Sequence, residues 1–192
     1  MAGLAAETAL QTTALAAQRS TSSSTPAPGS WLARDAAQRA LDRALPGIAA
    51  QAADPEVCGT GFLHIVLMDP GLPSGSVPFE EAILLEHSIG DRDRWDADYA
   101  RFARAKAQLS WRHGADGHVL QSRFPHLLLP GDTTLWGGVC LDGIVVGVSG
   151  AHPWYDEAFG LTLAAYLRAE IKRNAAAFAG QNVLFAPGAA IS

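Results

Sequence analysis

Apolar residues recur every three or four positions over three stretches of the chain, which is the spacing of a helix that buries one face. The predicted helices span residues 30–45, residues 93 or 96–113 and residues 153–178. Pro46-Gly47 should interrupt or end the first helix, because proline lacks the N–H that a helix interior needs. Gly114 is placed to stop the second. The third opens on a proline and two acidic residues, which suit a helix N-terminus.

Short β-branched and aromatic runs between turn residues predict strands instead. These runs cover residues 61–69, 81–88, 135–141 and 144–150. Asp142-Gly143 joins the last two runs, and an Asp-Gly pair between apolar strands is a strong signal for a hairpin. The resulting order of helix, two strands, helix, two or three strands and helix predicts an α+β domain with helices packed on an antiparallel sheet.

The composition indicates one folded domain with an additional N-terminal segment. The chain has 192 residues, of which 48% are hydrophobic and 17% are charged, and this excludes wholesale disorder. Residues 1–29 contain an Ala/Thr/Leu segment and a Ser/Thr/Pro-rich tract, so they are interpreted as a flexible leader and linker. Residues 30–192 are predicted to form the domain.

Charge and cysteine content exclude several classes of partner. The net charge of −5 has the wrong sign for a protein that neutralises many phosphates, so no nucleic acid is expected. The apolar runs are too short to cross a bilayer, so no membrane partner is expected. Residues 1–17 lack the basic start and apolar centre of a secretory signal, which predicts a cytoplasmic protein. Cys58 and Cys140 are far apart and have no nearby cysteine or histidine at zinc-ligand spacing, so they are interpreted as buried thiols.

The hairpin sequence carries a family resemblance. Residues 137–150 read GGVCLDGIVVGVSG, and Asp156-Glu157 follow where the last helix opens. Together with the basic helix before it, this stretch resembles the signature of the GlcG/HbpS-like family, often labelled the haem-degrading domain family, over about residues 31–175. The chain departs from the common pattern at Val139-Cys140, where members often carry Pro-Ile.

The resemblance implies a profilin-like fold, in which a five-stranded antiparallel sheet lies between helices, and frequently a homo-oligomer. Some members of the family bind haem, and degradation of haem is attributed to others. Haem therefore becomes the expected cofactor, and the catalytic residues, if the chain is an enzyme, are left unassigned.

Glycines around the hairpin are the first candidate ligand-binding residues. Gly137 and Gly138 could let a ligand lie against bare backbone, and the alternative is a bulge or tight bend. Gly150 leads into the last helix, whose free N–H groups could hold a carboxylate such as a haem propionate; the alternative is that Asp156 and Glu157 already satisfy this helix end. Asp156 and Glu157 would repel a carboxylate there and suit a cation, so they are the candidate metal ligands.

Haem iron needs only one axial imidazole, so the histidines near these loops are the candidate haem ligands. His113, His118 and His152 are favoured because they flank the loops nearest to the family signature. His64 alternates with apolar residues on a predicted strand and is interpreted as a hydrogen-bonded core histidine. Ser149 lacks the glycine two positions later that a hydrolase nucleophile elbow requires.

Three functions follow from these observations. The first is haem or tetrapyrrole binding in a pocket between sheet and helices, with support for haem degradation as a further possibility. The second is a non-catalytic module that binds a small molecule or serves as an oligomeric scaffold, since a fold does not fix a function. The third is a metal-dependent enzyme on a small substrate, with Asp156 and Glu157 as ligands.

Overall fold

The computed structural model describes residues 34–176. The predicted leader and linker over residues 1–29, the start of the first predicted helix and the end of the last one lie outside the described residues. The helices are α1 (Arg34–Ala52), α2 (Tyr99–His113), α3 (Gly117–Arg123) and α4 (Pro153–Ala176), and the strands are β1 (Leu63–Met68), β2 (Ile83–Ile89), β3 (Gly138–Leu141) and β4 (Ile144–Ser149).

The strands form one antiparallel sheet in the order β2-β1-β4-β3. This confirms the α+β class, the antiparallel sheet and the hairpin predicted at Asp142-Gly143. The prediction of five strands is wrong, because the sheet formed by residues 34–176 has four. The stretch between α2 and β3 folds into α3 and turns instead, and Pro125 and Pro130 in that stretch have no N–H to give to a strand ladder.

Both central strands are buried on both faces because helices cover the sheet from two sides. Leu63, Ile65 and Leu67 of β1 belong to the core that packs with α1 and α4. Val66 and Met68 point to the opposite face and pack with α2. Strands buried on both faces show continuous apolar runs rather than alternation, and β1 and β4 do so. Among the described residues, no helix has the length and apolarity needed to cross a membrane.

Helix α1 passes through Pro46 and Gly47 and ends at Ala52, so the predicted interruption is wrong. Both residues lie on the exposed side of the helix, while Ile48 and Ala52 beyond them are buried. The apolar stripe of α1 therefore continues past the proline, and its burial against the core outweighs the lost hydrogen bond.

Helix α2 and the hairpin follow their local signals. The Asp98 side chain accepts a hydrogen bond from the Arg101 N–H and caps α2, so the cap lies slightly beyond the predicted Asp93 or Asp96. Gly114 ends the helix in the left-handed conformation, as predicted. Asp142 and Gly143 both have positive φ, 52° and 82°, which confirms the predicted tight turn between β3 and β4.

Candidate functional site

A buried ion pair joins the two sides of the sheet at the start of α4. The Lys106 ammonium of α2 donates to the Asp156 carboxylate of α4 at 2.8 Å and to the Val148 carbonyl of β4 at 2.9 Å. The Lys106 and Asp156 side chains are only 3% and 2% exposed. One cation thus ties together a helix on each face of the sheet and a central strand.

Burial pushes both members of this pair toward their neutral forms. It raises the pKa of the Asp156 carboxyl from 3.8 to about 6, and the Lys106 ammonium opposes that rise. Burial likewise lowers the pKa of the Lys106 ammonium, with Asp156 as the opposing influence. The attraction between the two groups opposes both shifts in a region that water hardly reaches.

Gly137 and Gly138 make room for this pair and for α2. A Cβ at Gly137, whose φ is +113°, would lie 2.7 Å from the Asp156 Cβ and 3.1 Å from the Lys106 Nζ. A Cβ at Gly138 would lie 2.3 Å from the Lys106 carbonyl oxygen and 2.6 Å from the Ser110 Oγ. At Gly137 and Gly138, protein atoms already occupy the positions where a side chain would lie. The predicted ligand would need the same space. Both glycines thus allow close packing of the chain on itself, which was not among the predicted roles.

The predicted carboxylate site at Gly150 is used by the protein's own carboxylate. Asp156 Oδ1 accepts from the Ala151 N–H at 3.0 Å, and the Gly150 N–H also supports that carboxylate. A Cβ on Gly150 would lie 2.0 Å from the Phe62 carbonyl oxygen, and the Cys58 thiol donates to the Gly150 carbonyl at 3.2 Å. The donors that a haem propionate was expected to use are therefore already occupied.

His118 and Glu157 form a second polar pair beside this one. The His118 Nδ1 lies 2.6 Å from the Glu157 Oε1, and the side chains are 38% and 15% exposed. An ionised carboxylate can only accept, so the ring nitrogen that faces it donates. Among the described residues the other ring nitrogen, Nε2, has no hydrogen-bond partner. Asp156 and Glu157 were predicted as joint metal ligands. In the structure Asp156 binds Lys106 and Glu157 binds His118, so the two carboxylates have different partners.

Helix α3 holds His118 in place through contacts with β3. Asp116 at the start of α3 accepts from the Cys140 N–H at 2.7 Å. Gly117 is buried, and a Cβ there would lie 3.5 Å from the Gly138 carbonyl oxygen. The Gly138 backbone therefore lies between α2 and α3, and His118 is anchored one residue beyond the contact.

An apolar cleft, which we term the tryptophan cleft, lies next to His118. It has a volume of about 220 Å³ and is lined by Thr134, Leu135, Trp136, Pro153 and Trp154. The Trp136 ring lies 5.8 Å from the His118 ring, and the Trp154 ring stacks on His152 at 5.3 Å, centroid to centroid. The Gln121 side chain of α3 donates to the Thr133 and Leu135 carbonyls and so holds one wall of the cleft to the helix that carries His118.

The three predicted haem-ligand histidines thus have different surroundings. His118 and His152 each contact a tryptophan of the cleft. The His113 Nε2 accepts a hydrogen bond from the Arg112 Nε at 3.0 Å, so one of its nitrogens is engaged elsewhere. No cluster of three or more His, Cys, Asp or Glu side chains suited to a metal ion occurs within residues 34–176.

The interpretation of His64 as a hydrogen-bonded core histidine is confirmed. The residue is 3% exposed, its Nδ1 lies 2.8 Å from the Ser88 Oγ, and its Nε2 lies 3.2 Å from the Glu86 Oε1. Arg104 binds the same carboxylate through two nitrogens, at 2.7 and 2.6 Å. Burial lowers the pKa of His64, with Glu86 opposing the shift.

The central role of Lys106 was not predicted from the sequence. A signal was available, because Lys106 lies between Ala103 and Leu109 at the three-residue spacing of a buried helix face, and a buried ammonium needs a carboxylate or carbonyl partner. The contact between His118 and Glu157 could not be found in this way, since the residues are 39 positions apart and no local pattern brings them together.

The chain is similar to solved structures of other proteins. No family model matches the chain, and no curated protein matches it. A similar solved structure is protein ORFY of Klebsiella pneumoniae, described as DUF336, with a TM-score of 0.46, 17% identity and coverage of 72% of this chain and 91% of that one. Another is a PduOC:heme complex, with a TM-score of 0.41, 19% identity and coverage of 68% and 91%.

Proposed function

We propose that this domain binds haem beside the tryptophan cleft, with His118 as the axial ligand of the iron. The observation that carries the proposal is the hydrogen bonding of the His118 ring. Its Nδ1 is bound to Glu157, and its Nε2 has no hydrogen-bond partner among the described residues. The same ring contacts Trp136 of the cleft. Metal-ligating histidines characteristically present one nitrogen to the metal and the other to a carboxylate or carbonyl.

The residues around His118 fit such a group. Leu135, Trp136 and Trp154 are 44%, 42% and 57% exposed, so they offer an apolar and aromatic surface to a planar ligand. A cleft of about 220 Å³ is small beside typical ligand pockets of about 300–1,000 Å³. Only part of a porphyrin could enter it, and the remainder would lie over the exposed side chains. When bound, haem would supply redox and ligand-binding chemistry that no side chain provides.

Haem titration of the purified full chain tests this proposal. We expect a saturable Soret shift at micromolar protein and quenching of tryptophan fluorescence. Trp136→Ala should weaken binding, whereas Trp111→Ala, which removes a tryptophan on α2 outside the cleft, should leave haem affinity unchanged. A titration without saturation or Soret shift would contradict the proposal.

Degradation of haem and assembly into a homo-oligomer are further parts of this proposal. Loss of the Soret band with a reductant and oxygen, accompanied by ring-opened product, would show breakdown in addition to binding.

Exposed apolar side chains at the cleft are also typical of interaction surfaces, which supports the expected homo-oligomer. Sedimentation with and without haem measures the number of subunits directly.

A small-molecule module without haem is the second candidate, and the cleft volume favours it. A space of about 220 Å³ lined by two tryptophans suits one flat aromatic ring system. Thermal stabilisation by such compounds, with no Soret shift on addition of haem, would support this function over the first.

A further inference from the structure

We infer that Glu157 is a positioning residue for His118: its carboxylate fixes the ring proton on Nδ1 and leaves the Nε2 lone pair available to an iron. This inference rests on the proposed function and assigns a different role to a residue first considered as a metal ligand itself. Glu157 would lie one hydrogen bond away from the metal rather than on it.

The hydrogen-bond geometry gives the first step. The His118 Nδ1 lies 2.6 Å from the Glu157 Oε1, within hydrogen-bond distance. A neutral histidine carries its proton on one nitrogen only, and a histidine without a partner can take either form. With an acceptor-only group facing Nδ1, the neutral ring must leave Nε2 without a proton.

The anchoring of Glu157 gives the second step. It follows Asp156, whose side chain is locked by Lys106 and by the N–H of Ala151, within a helix of 24 residues. The backbone of Glu157 is therefore held by the buried ion pair. His118 in turn is held by the contact of Gly117 with β3, so the donor and the acceptor lie on supports that fix their separation.

The carboxylate of Glu157 also affects how strongly His118 binds a metal. A carboxylate that accepts from the distal nitrogen increases the basicity of the other nitrogen, and loss of such a partner typically weakens metal binding about 10–100-fold. Glu157 is 15% exposed, so solvent screens this interaction less than it would at the surface. A carboxylate with only a packing role would not affect the ring tautomer.

The test compares Glu157→Leu with the conservative Glu157→Gln. In the ligand-free full chain, nitrogen NMR of the His118 ring should show the proton on Nδ1 in the wild type and in Glu157→Gln, whose amide oxygen still accepts. Glu157→Leu should lose this preference and bind haem about 10–100-fold more weakly. Glu81→Leu, at an exposed glutamate distant in sequence, is the matched control and should change neither result.

The possible outcomes separate the two proposals. If the wild type binds haem while Glu157→Leu keeps both the wild-type tautomer and the wild-type affinity, the positioning role is wrong and haem binding stands. A proton on Nε2 in the ligand-free wild type would also overturn the positioning role. If the wild type binds no haem, the proposed function fails, whatever tautomer the ring adopts.

Discussion

Replacement of Lys106 by methionine tests the structural account of the site most severely. Methionine retains an unbranched chain of similar length and removes the charge, so packing between α2 and the sheet changes little. The Asp156 carboxylate then stays in the interior with only backbone N–H groups as partners, and the Val148 carbonyl loses a donor. The expected result is a large loss of stability at neutral pH.

The magnitude follows from burial. The two side chains are 3% and 2% exposed, and loss of one partner from a buried ion pair costs about 3–5 kcal/mol. For a chain of 192 residues, each kcal/mol corresponds to about 2–4 °C, so the midpoint of thermal unfolding should fall by about 6–20 °C. The double variant Lys106→Met/Asp156→Asn should be less destabilised than Lys106→Met, because no unpaired charge then remains in the interior.

The assay is urea unfolding at pH 7, followed by tryptophan fluorescence and circular dichroism. Arg168→Met is the matched control, since Arg168 and Asp142 form an ion pair of nearly the same length, 2.7 Å, with side chains 37% and 67% exposed. That change should cost less than about 1 kcal/mol. Equal and small losses in Lys106→Met and Arg168→Met would refute the reasoning, because burial would then not govern the free energy of the pair.

Two further predictions concern the same part of the molecule. Gly147→Ala should destabilise the fold by about 1–3 kcal/mol or more, since its Cβ would lie 2.3 Å from the Ala103 carbonyl oxygen. Gly47→Ala, at a position on α1 with open space around it, should be neutral or stabilising in the same unfolding assay. The reverse order of the two stabilities would contradict the close approach of α2 to β4. Because the pKa of Asp156 is raised to about 6 from 3.8, its protonation favours the folded state, and this contribution is complete below pH 3.8 and lost as the pH rises through 6. Stability measured from pH 4 to 7 should therefore decline relative to Asp156→Asn over that interval, and a constant difference would contradict the raised pKa.

The sequence predicted those elements whose signals are local. Asp142-Gly143 specified the hairpin because positive φ is required at both turn positions, and Gly114 specified the end of α2 for a similar reason. The end of α1 predicted at Pro46 was wrong, because the burial of Ile48 and Ala52 keeps the chain helical beyond the proline. That burial is a tertiary effect, which no local signal shows. The fifth strand was expected from the family resemblance, and the prolines between α2 and β3 work against a strand there.

The candidate site was predictable in its residue types and not in its contacts. Gly137 and Gly138 were predicted to contact a ligand or to form a bulge, and sequence could not show that α2 packs against Gly138. His118 and Glu157 were each singled out for separate roles, and only the folded chain pairs them. Asp156 and Glu157 are adjacent in sequence, yet they point to different partners because successive helical side chains diverge by about 100°.

The absorption spectrum of the ferric haem complex of His118→Gly tests the central claim most directly, with His113→Gly and His152→Gly as controls. We predict that the axial-imidazole spectrum is lost in His118→Gly alone and returns when imidazole is added to that variant. An unchanged spectrum in His118→Gly, or loss of the imidazole ligand in either control instead, would contradict the assignment of His118 as the haem ligand.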